Sequence, residues 1–88
     1  MPRILLAEDD DSLRGFLTRA LERAGYEVTS CADGDEAAAH LDADWDLLLT
    51  DIVMPGMDGI ALCRSVRAAE RGQAPYIVVL TANTNADS

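Results

Sequence analysis

Acidic residues follow two apolar segments of the chain at the point where each segment ends. Glu8 and Asp9 come directly after residues 4–7, and Asp51 comes directly after residues 47–50. Carboxylates gathered in a small volume repel, so they favour either a raised proton affinity or a bound cation, and hard oxygen ligands suit Mg²⁺. A carboxylate such as Asp51 can also attack phosphorus to give an acyl phosphate when a cation neutralises the phosphoryl oxygens.

The two apolar segments are predicted to be buried parallel strands, at residues 3–7 and 46–51. Between them, a helix capped by Asp11 or Ser12 ends at Gly25, and residues 26–31 form a more polar strand near a sheet edge. The helix is predicted to bury one apolar face. That face comprises Leu13, Phe16, Leu17, Ala20, Leu21 and Ala24.

A short helix is predicted over residues 35–43, with Trp45 packing at its end. Residues 52–59 form a loop because Pro55 disfavours helix before it and two glycines follow. A third helix, capped by Asp58, covers residues 59–71, and a fourth strand covers residues 77–80. The predicted buried positions of the short helix are Ala37, Ala38 and Leu41, and those of the third helix are Ile60, Cys63 and Val66, with Leu62 as a further candidate.

Alternating strands and helices predict an α/β fold, a doubly wound parallel sheet with helices on both faces. The functional crevice of such a sheet lies outside the carboxyl ends of its strands. We therefore expect Glu8, Asp9, Asp51 and Thr81 to converge at one edge. For Asp10 and Asp11 a simpler role is favoured, because acids just before a helix stabilise its positive end.

Composition narrows the possible partners. The 88 residues carry a formal charge of -9, which argues against a nucleic-acid surface and an anionic membrane surface. We find neither a basic-then-apolar leader nor a run long enough to span a bilayer, so a cytoplasmic location and a single domain at residues 1–88 are expected. Cys31, Cys63 and His40 are isolated from one another and have no metal-ligand spacing.

Three runs of the sequence resemble the signatures of response-regulator receiver domains, the phosphoacceptor domains of two-component signalling. The runs are ILLAEDD at residues 4–10, LLLTDIVMPGMDG at residues 47–59 and VLTA at residues 79–82. The middle run is highly specific, the first is supportive and the last is weak by itself. The resemblance implies a flavodoxin-like receiver fold with strand order 2-1-3-4-5.

The resemblance also implies roles for individual residues. Asp51 matches the aspartate that accepts a phosphoryl group from a histidine kinase or a histidine phosphotransfer protein. Glu8 and Asp9 match the acidic pair that holds Mg²⁺ together with Asp51, and Val53 matches the residue whose backbone carbonyl completes the metal site. Thr81 matches the switch hydroxyl that contacts the phosphoryl group, and Ala82 matches the small residue that leaves room for it. The pairs Met54-Pro55 and Asp58-Gly59 match the loop and helix start that shape the pocket.

The chain departs from the family pattern in two ways. Receivers continue through a fourth helix, a fifth strand with a lysine and a fifth helix, whereas this sequence is expected to give four strands and about three helices. It also contains no lysine, so impaired switching is expected. The fourth strand would then lie at an open sheet edge, which predicts a homo-oligomer formed through that edge.

Two alternatives remain open at this point. One is an Mg²⁺-dependent enzyme, because Asp9-Asp10-Asp11-Ser12 after an apolar strand resembles aspartate-nucleophile phosphatases. Those enzymes need a second aspartate as acid or base and a later lysine. The other is a self-associating structural or engineered fragment in which the acidic site is vestigial.

Overall fold

The computed structural model describes residues 1–41, 43–51, 59–68 and 76–80, of which residues 59, 66 and 76–80 are described by their backbone alone. Strands and helices alternate through the described residues. They are β1 (Arg3–Ala7), α1 (Asp11–Arg23), β2 (Glu27–Cys31), α2 (Gly34–Ala38), β3 (Leu47–Asp51), α3 (Gly59–Ala68) and β4 (Tyr76–Leu80). Within these ranges no helix is long and apolar enough to cross a membrane.

The strands form one parallel sheet in the order β2-β1-β3-β4, so β1 and β3, which precede the acids, lie side by side at its centre. The pairing places Ala7 opposite both Cys31 and Thr50, and Asp51 opposite Leu80. The residues after Ala7 therefore lie next to the end of β3. The predicted doubly wound parallel sheet, with the second strand at an edge, is confirmed.

Alternation along the central strands supplies a core on each face of the sheet. On one face, Ile4, Leu6 and Leu49 pack against Leu17 and Leu21 of α1. The other face is covered by α2, α3 and the segment before β3. Its core consists of Leu5, Ala7, Cys31, Ala37, Trp45, Leu48 and Leu62. The two central strands are therefore covered by helices on both faces.

Several predicted details were wrong. The N-cap of α1 is Asp10, not Asp11 or Ser12, and its side chain accepts a hydrogen bond from the Leu13 backbone N–H. Phe16, predicted to be buried, is 61% exposed because Leu17 and Leu21 face the sheet. Ala20 and Ala24 are exposed as well.

The short helix and the third helix also differ from expectation. The α2 helix ends at Ala38, and turns follow it through Leu41. In α3, Ile60 is 45% exposed while Leu62 is fully buried, so the principal buried position is the one that was only a further candidate. Residues 69–71 at the predicted end of this helix lie outside the described residues.

The amino end of the sheet is closed by a clamp between Arg3, Trp45 and Asp46. The Arg3 backbone N–H donates to Asp46 Oδ2 at 2.8 Å, and the Asp46 N–H donates to the Arg3 carbonyl at 2.9 Å. The Arg3 guanidinium lies 4.6 Å from the centre of the Trp45 ring. The Trp45 indole N–H in turn donates to the His40 carbonyl at 2.8 Å, which satisfies the polar atom of a buried ring.

Candidate functional site

Glu8 is the first residue after β1 and is only 1% exposed. Its backbone N–H donates to the Cys31 carbonyl at 3.1 Å, so the chain leaving β1 still follows the end of β2. Its side-chain Oε2 accepts from the Asp10 N–H at 3.0 Å. The other carboxylate oxygen, Oε1, is buried and has no hydrogen-bond partner among the described residues.

The turn between β1 and α1 is built by acids with different tasks. Asp10 caps α1 and so lies at the positive end of the helix, where an acid was expected. Asp11 lies in the first turn of α1, where its Oδ1 accepts from Nη2 of Arg14 at 2.6 Å. Nη1 of Arg14 donates to the Glu8 carbonyl at 2.9 Å. Asp9 is exposed, and it is one of the acids that meet Asp51.

Asp51 ends β3 and is half-buried. The preceding residue, Thr50, is fully buried and donates its hydroxyl to the Asp51 carbonyl at 2.9 Å. Because Ala7 pairs with Thr50, the residues that follow them, Glu8 and Asp51, emerge side by side from adjacent strands. The register of the sheet therefore places Asp51 next to the acids of the turn between β1 and α1.

Glu8, Asp9 and Asp51 form a cluster in which one carboxylate oxygen from each residue lies within 4.8 Å of the others. Burial raises the pKa of Glu8, the Asp10 N–H opposes that effect, and the negative charge of Asp51 and the neighbouring Asp9 raise the pKa further. The buried carboxyl group therefore resists ionisation, as expected where like charges gather in a poorly solvated volume.

The donor set of this cluster fits a hard divalent cation. A buried oxygen without a hydrogen bond is rare in folded proteins, and Oε1 of Glu8 is one. A cation would provide that oxygen with a partner and relieve the repulsion among three carboxylates. Small hard cations take carboxylate oxygens and retain water as their remaining ligands, which an exposed Asp9 and a half-buried Asp51 permit.

Other predicted site residues fall outside the described part of the chain. These are Val53, Thr81, Ala82, the Met54-Pro55 pair and Asp58. The thiols of Cys31 and Cys63 are free, the first buried and the second half-buried, and burial raises the pKa of Cys31 to about 11. Neither belongs to the acidic cluster among the described residues.

Sequence reasoning missed Arg14, which joins the Glu8 carbonyl to the Asp11 carboxylate. Its signal was the three-residue spacing of Asp11 and Arg14 at a helix start, a spacing that brings opposite charges together on a helix surface. The contact with the Glu8 carbonyl depends on how the chain turns after β1, and no local pattern indicates it.

The chain is similar in sequence to known proteins over most of its length. The sequence profile of the response regulator receiver domain matches residues 4–88. The response regulator receiver protein CpdR of Brucella abortus is 58% identical over 71 residues, which are 80% of this chain. The transcriptional regulatory protein ResD of Bacillus subtilis is 43% identical over 81 residues, 91% of this chain.

Solved structures agree with the sequence relatives. The response regulator TrrA of Thermotoga maritima, crystallised in complex with Mg²⁺-BeF, superposes with a TM-score of 0.85 at 32% identity, covering 96% of this chain and 72% of that one. The matched residues make up 58% of CpdR and 32% of ResD. This chain therefore corresponds to part of the length of those relatives.

Proposed function

Because the chain belongs to the response regulator receiver family of two-component signalling, we propose that Asp51 accepts a phosphoryl group in a site that holds Mg²⁺. The observation that supports the proposal most strongly is the convergence of Glu8, Asp9 and Asp51, together with the unpartnered Oε1 of Glu8. The family's regulatory role and the sheet register support the same assignment.

In the proposed reaction, a carboxylate oxygen of Asp51 forms a bond to phosphorus as the bond from phosphorus to a donor nitrogen breaks. The nitrogen belongs to a phosphohistidine of a histidine kinase or a histidine phosphotransfer protein, and it leaves with the bonding electron pair. Bound Mg²⁺ would supply charge neutralisation at the phosphoryl oxygens. Glu8 and Asp9 would hold it with Asp51, and the Val53 carbonyl is proposed as a further ligand.

The same proposal includes Thr81 as the hydroxyl that contacts a phosphoryl oxygen and Ala82 as the small residue beside it. The 88 residues include no lysine, so they supply no lysine ammonium to pair with a phosphoryl oxygen. A single domain at residues 1–88 and a cytoplasmic location also stay predictions.

We favour a regulatory phosphoacceptor over a phosphatase-like enzyme. In the enzyme reading, an aspartate of the segment 9–11 acts as general acid or base. Asp10 instead caps α1, and Asp11 is ion-paired with Arg14 at 2.6 Å. Both side chains are therefore engaged at the start of α1, Asp10 with the Leu13 backbone N–H and Asp11 with the Arg14 guanidinium.

Labelling with a small phosphodonor tests the assignment of Asp51. With acetyl phosphate and Mg²⁺, intact mass spectrometry should show the gain of one phosphoryl group, and chelation of the metal should prevent it. Asp51→Asn should remove the label, whereas Asp35→Asn, the same change at an exposed acid of α2, should retain it. Labelling of Asp51→Asn at the wild-type rate would place the acceptor elsewhere. Sustained hydrolysis of p-nitrophenyl phosphate would favour the enzyme instead.

We also propose that the 88-residue polypeptide self-associates through β4. Its backbone pairs with β3 on one side, and no strand among the described residues pairs with its other side. Unpaired strand edges are templates for another chain. Light scattering should show a mass that increases with protein concentration, and a monomer throughout the concentration range would contradict this.

A further inference from the structure

Arg14 contacts both ends of the acidic turn that precedes α1. Its backbone N–H donates to the Asp10 carbonyl at 2.8 Å, and its guanidinium donates to the Glu8 carbonyl at 2.9 Å and to Asp11 Oδ1 at 2.6 Å. The turn therefore closes around one side chain, which is half-buried against it. A planar guanidinium suits this arrangement because its donors diverge in fixed directions.

We propose that Arg14 is a positioning residue for the cation site, holding the Glu8–Asp11 turn so that the carboxylates of Glu8 and Asp9 reach Asp51. The inference rests on the proposed function, since it concerns how the same acids bind Mg²⁺. The guanidinium of Arg14 contacts the Glu8 carbonyl and the Asp11 carboxylate, neither of which is a proposed ligand of the cation. It acts through the backbone of a ligand residue, as outer-shell partners of metal ligands do.

The hydrogen bonds of Arg14 and its positive charge predict opposite changes in Mg²⁺ affinity when the side chain is removed. The guanidinium is a positive charge beside a cation site, so its loss alone would strengthen Mg²⁺ binding by reducing repulsion. Loss of its hydrogen bonds would release the Glu8 carbonyl and the turn, which weakens binding because the ligands must then be ordered by the metal. If the positioning role dominates, Arg14→Ala must weaken binding.

The experiment measures Mg²⁺ affinity by calorimetry and Mn²⁺ affinity by electron paramagnetic resonance on the intact chain. Arg14→Ala is expected to weaken binding by about tenfold, the lower end of the range for outer-shell partners. Arg14→Lys keeps the charge but cannot bridge two acceptors in the same way, so it should also bind more weakly than wild type.

Two control variants separate positioning from other effects. Arg19→Ala removes the same charge from an exposed position on the same helix and should leave the affinity unchanged or slightly increased. Ser30→Ala removes the hydrogen bond to Thr18, 2.6 Å long, and should lower the melting temperature of the metal-free protein while leaving the affinity unchanged. Destabilisation without loss of affinity would show that the two readouts are independent.

The outcomes separate this inference from the proposed function. Unchanged or tighter Mg²⁺ binding by a folded Arg14→Ala overturns the role of Arg14 and leaves the cation site standing. If Arg14→Ala does not fold, Arg14→Lys decides, and wild-type affinity in that variant overturns the inference. Failure of the wild-type chain to bind Mg²⁺ or Mn²⁺ overturns both the cation site and the positioning role.

Discussion

Replacing Glu8 by glutamine is expected to stabilise the metal-free protein. Carboxylate oxygens no more than 4.8 Å apart repel by at least about 0.9 kcal/mol per pair in bulk water and by about 3.5 kcal/mol at an effective dielectric constant of 20. The buried Oε1 without a partner adds a desolvation penalty of about 1–3 kcal/mol. Glutamine is neutral, retains an acceptor for the Asp10 N–H and gains a donor that can face the remaining carboxylates.

We expect Glu8→Gln to raise the free energy of unfolding by about 1–3 kcal/mol in a chelating buffer, allowing for an exposed Asp9 that water screens well. For a domain of this size, each kcal/mol raises the melting temperature by about 4–8 °C. Thermal and urea unfolding followed by circular dichroism measure the change. Glu22→Gln, the same substitution at an exposed site on α1, is the matched control and should change stability by less than about 0.5 kcal/mol.

Magnesium should reduce or reverse the stability advantage of Glu8→Gln over the wild type. At a concentration 100 times its dissociation constant, Mg²⁺ adds about 2.7 kcal/mol to a protein that binds it in the folded state only. The wild type should gain this stabilisation and Glu8→Gln should lose most of it. The reasoning fails if Glu8→Gln is less stable than wild type in chelator, or if both proteins gain equally from Mg²⁺.

Two further predictions follow from burial and charge. Because the pKa of Glu8 is raised in the folded state, its stability contribution is complete below the pKa of an unfolded glutamate and is lost as pH rises through the folded-state value. The advantage of metal-free Glu8→Gln, measured by urea unfolding, should therefore be greatest near neutral pH and vanish in acid; an advantage that grew on acidification would refute this. Leu62→Ala should cost about 2–5 kcal/mol in the same assay, and Ile60→Ala, on an exposed position, less than about 1 kcal/mol. Equal losses at residues 60 and 62 would contradict the packing of α3.

The sequence predicts the sheet more reliably than it predicts which helix residues are buried. The apolar run at residues 4–7 predicts a buried strand, and the structure confirms it at the centre of the sheet. The apolar stripe of a helix indicates the side that faces the core, but it does not determine which residues of the stripe are buried. Phe16 and Leu17 both fit the stripe of α1, but the rotation of the helix on the sheet packs the half-buried Leu17 against the core and exposes Phe16. That rotation is set by contacts with distant residues such as Leu49, which local spacing does not reveal.

The candidate site was predictable to the extent that it depends on strand ends. Glu8, Asp9 and Asp51 follow apolar runs, and parallel strands bring their carboxyl ends to one edge. The contacts that hold the turn between β1 and α1 were not predictable in the same way. Whether Asp10 or Asp11 caps α1 depends on backbone angles in the turn, and the bond from Arg14 to the Glu8 carbonyl depends on where that turn lies.

The clamp of Arg3, Trp45 and Asp46 has a consequence for residues at the opposite end of the sheet. Parallel strands that slip by one residue send every side chain to the other face, so Asp51 would leave its place beside Glu8. A one-residue slip of β3 along β1 would break the reciprocal bonds between Arg3 and Asp46, which therefore favour the observed alignment. With strands rising about 3.3 Å per residue, these bonds favour the alignment of the carboxylates from roughly 15 Å away. Residues outside the acidic cluster thus help to keep Glu8 and Asp51 side by side.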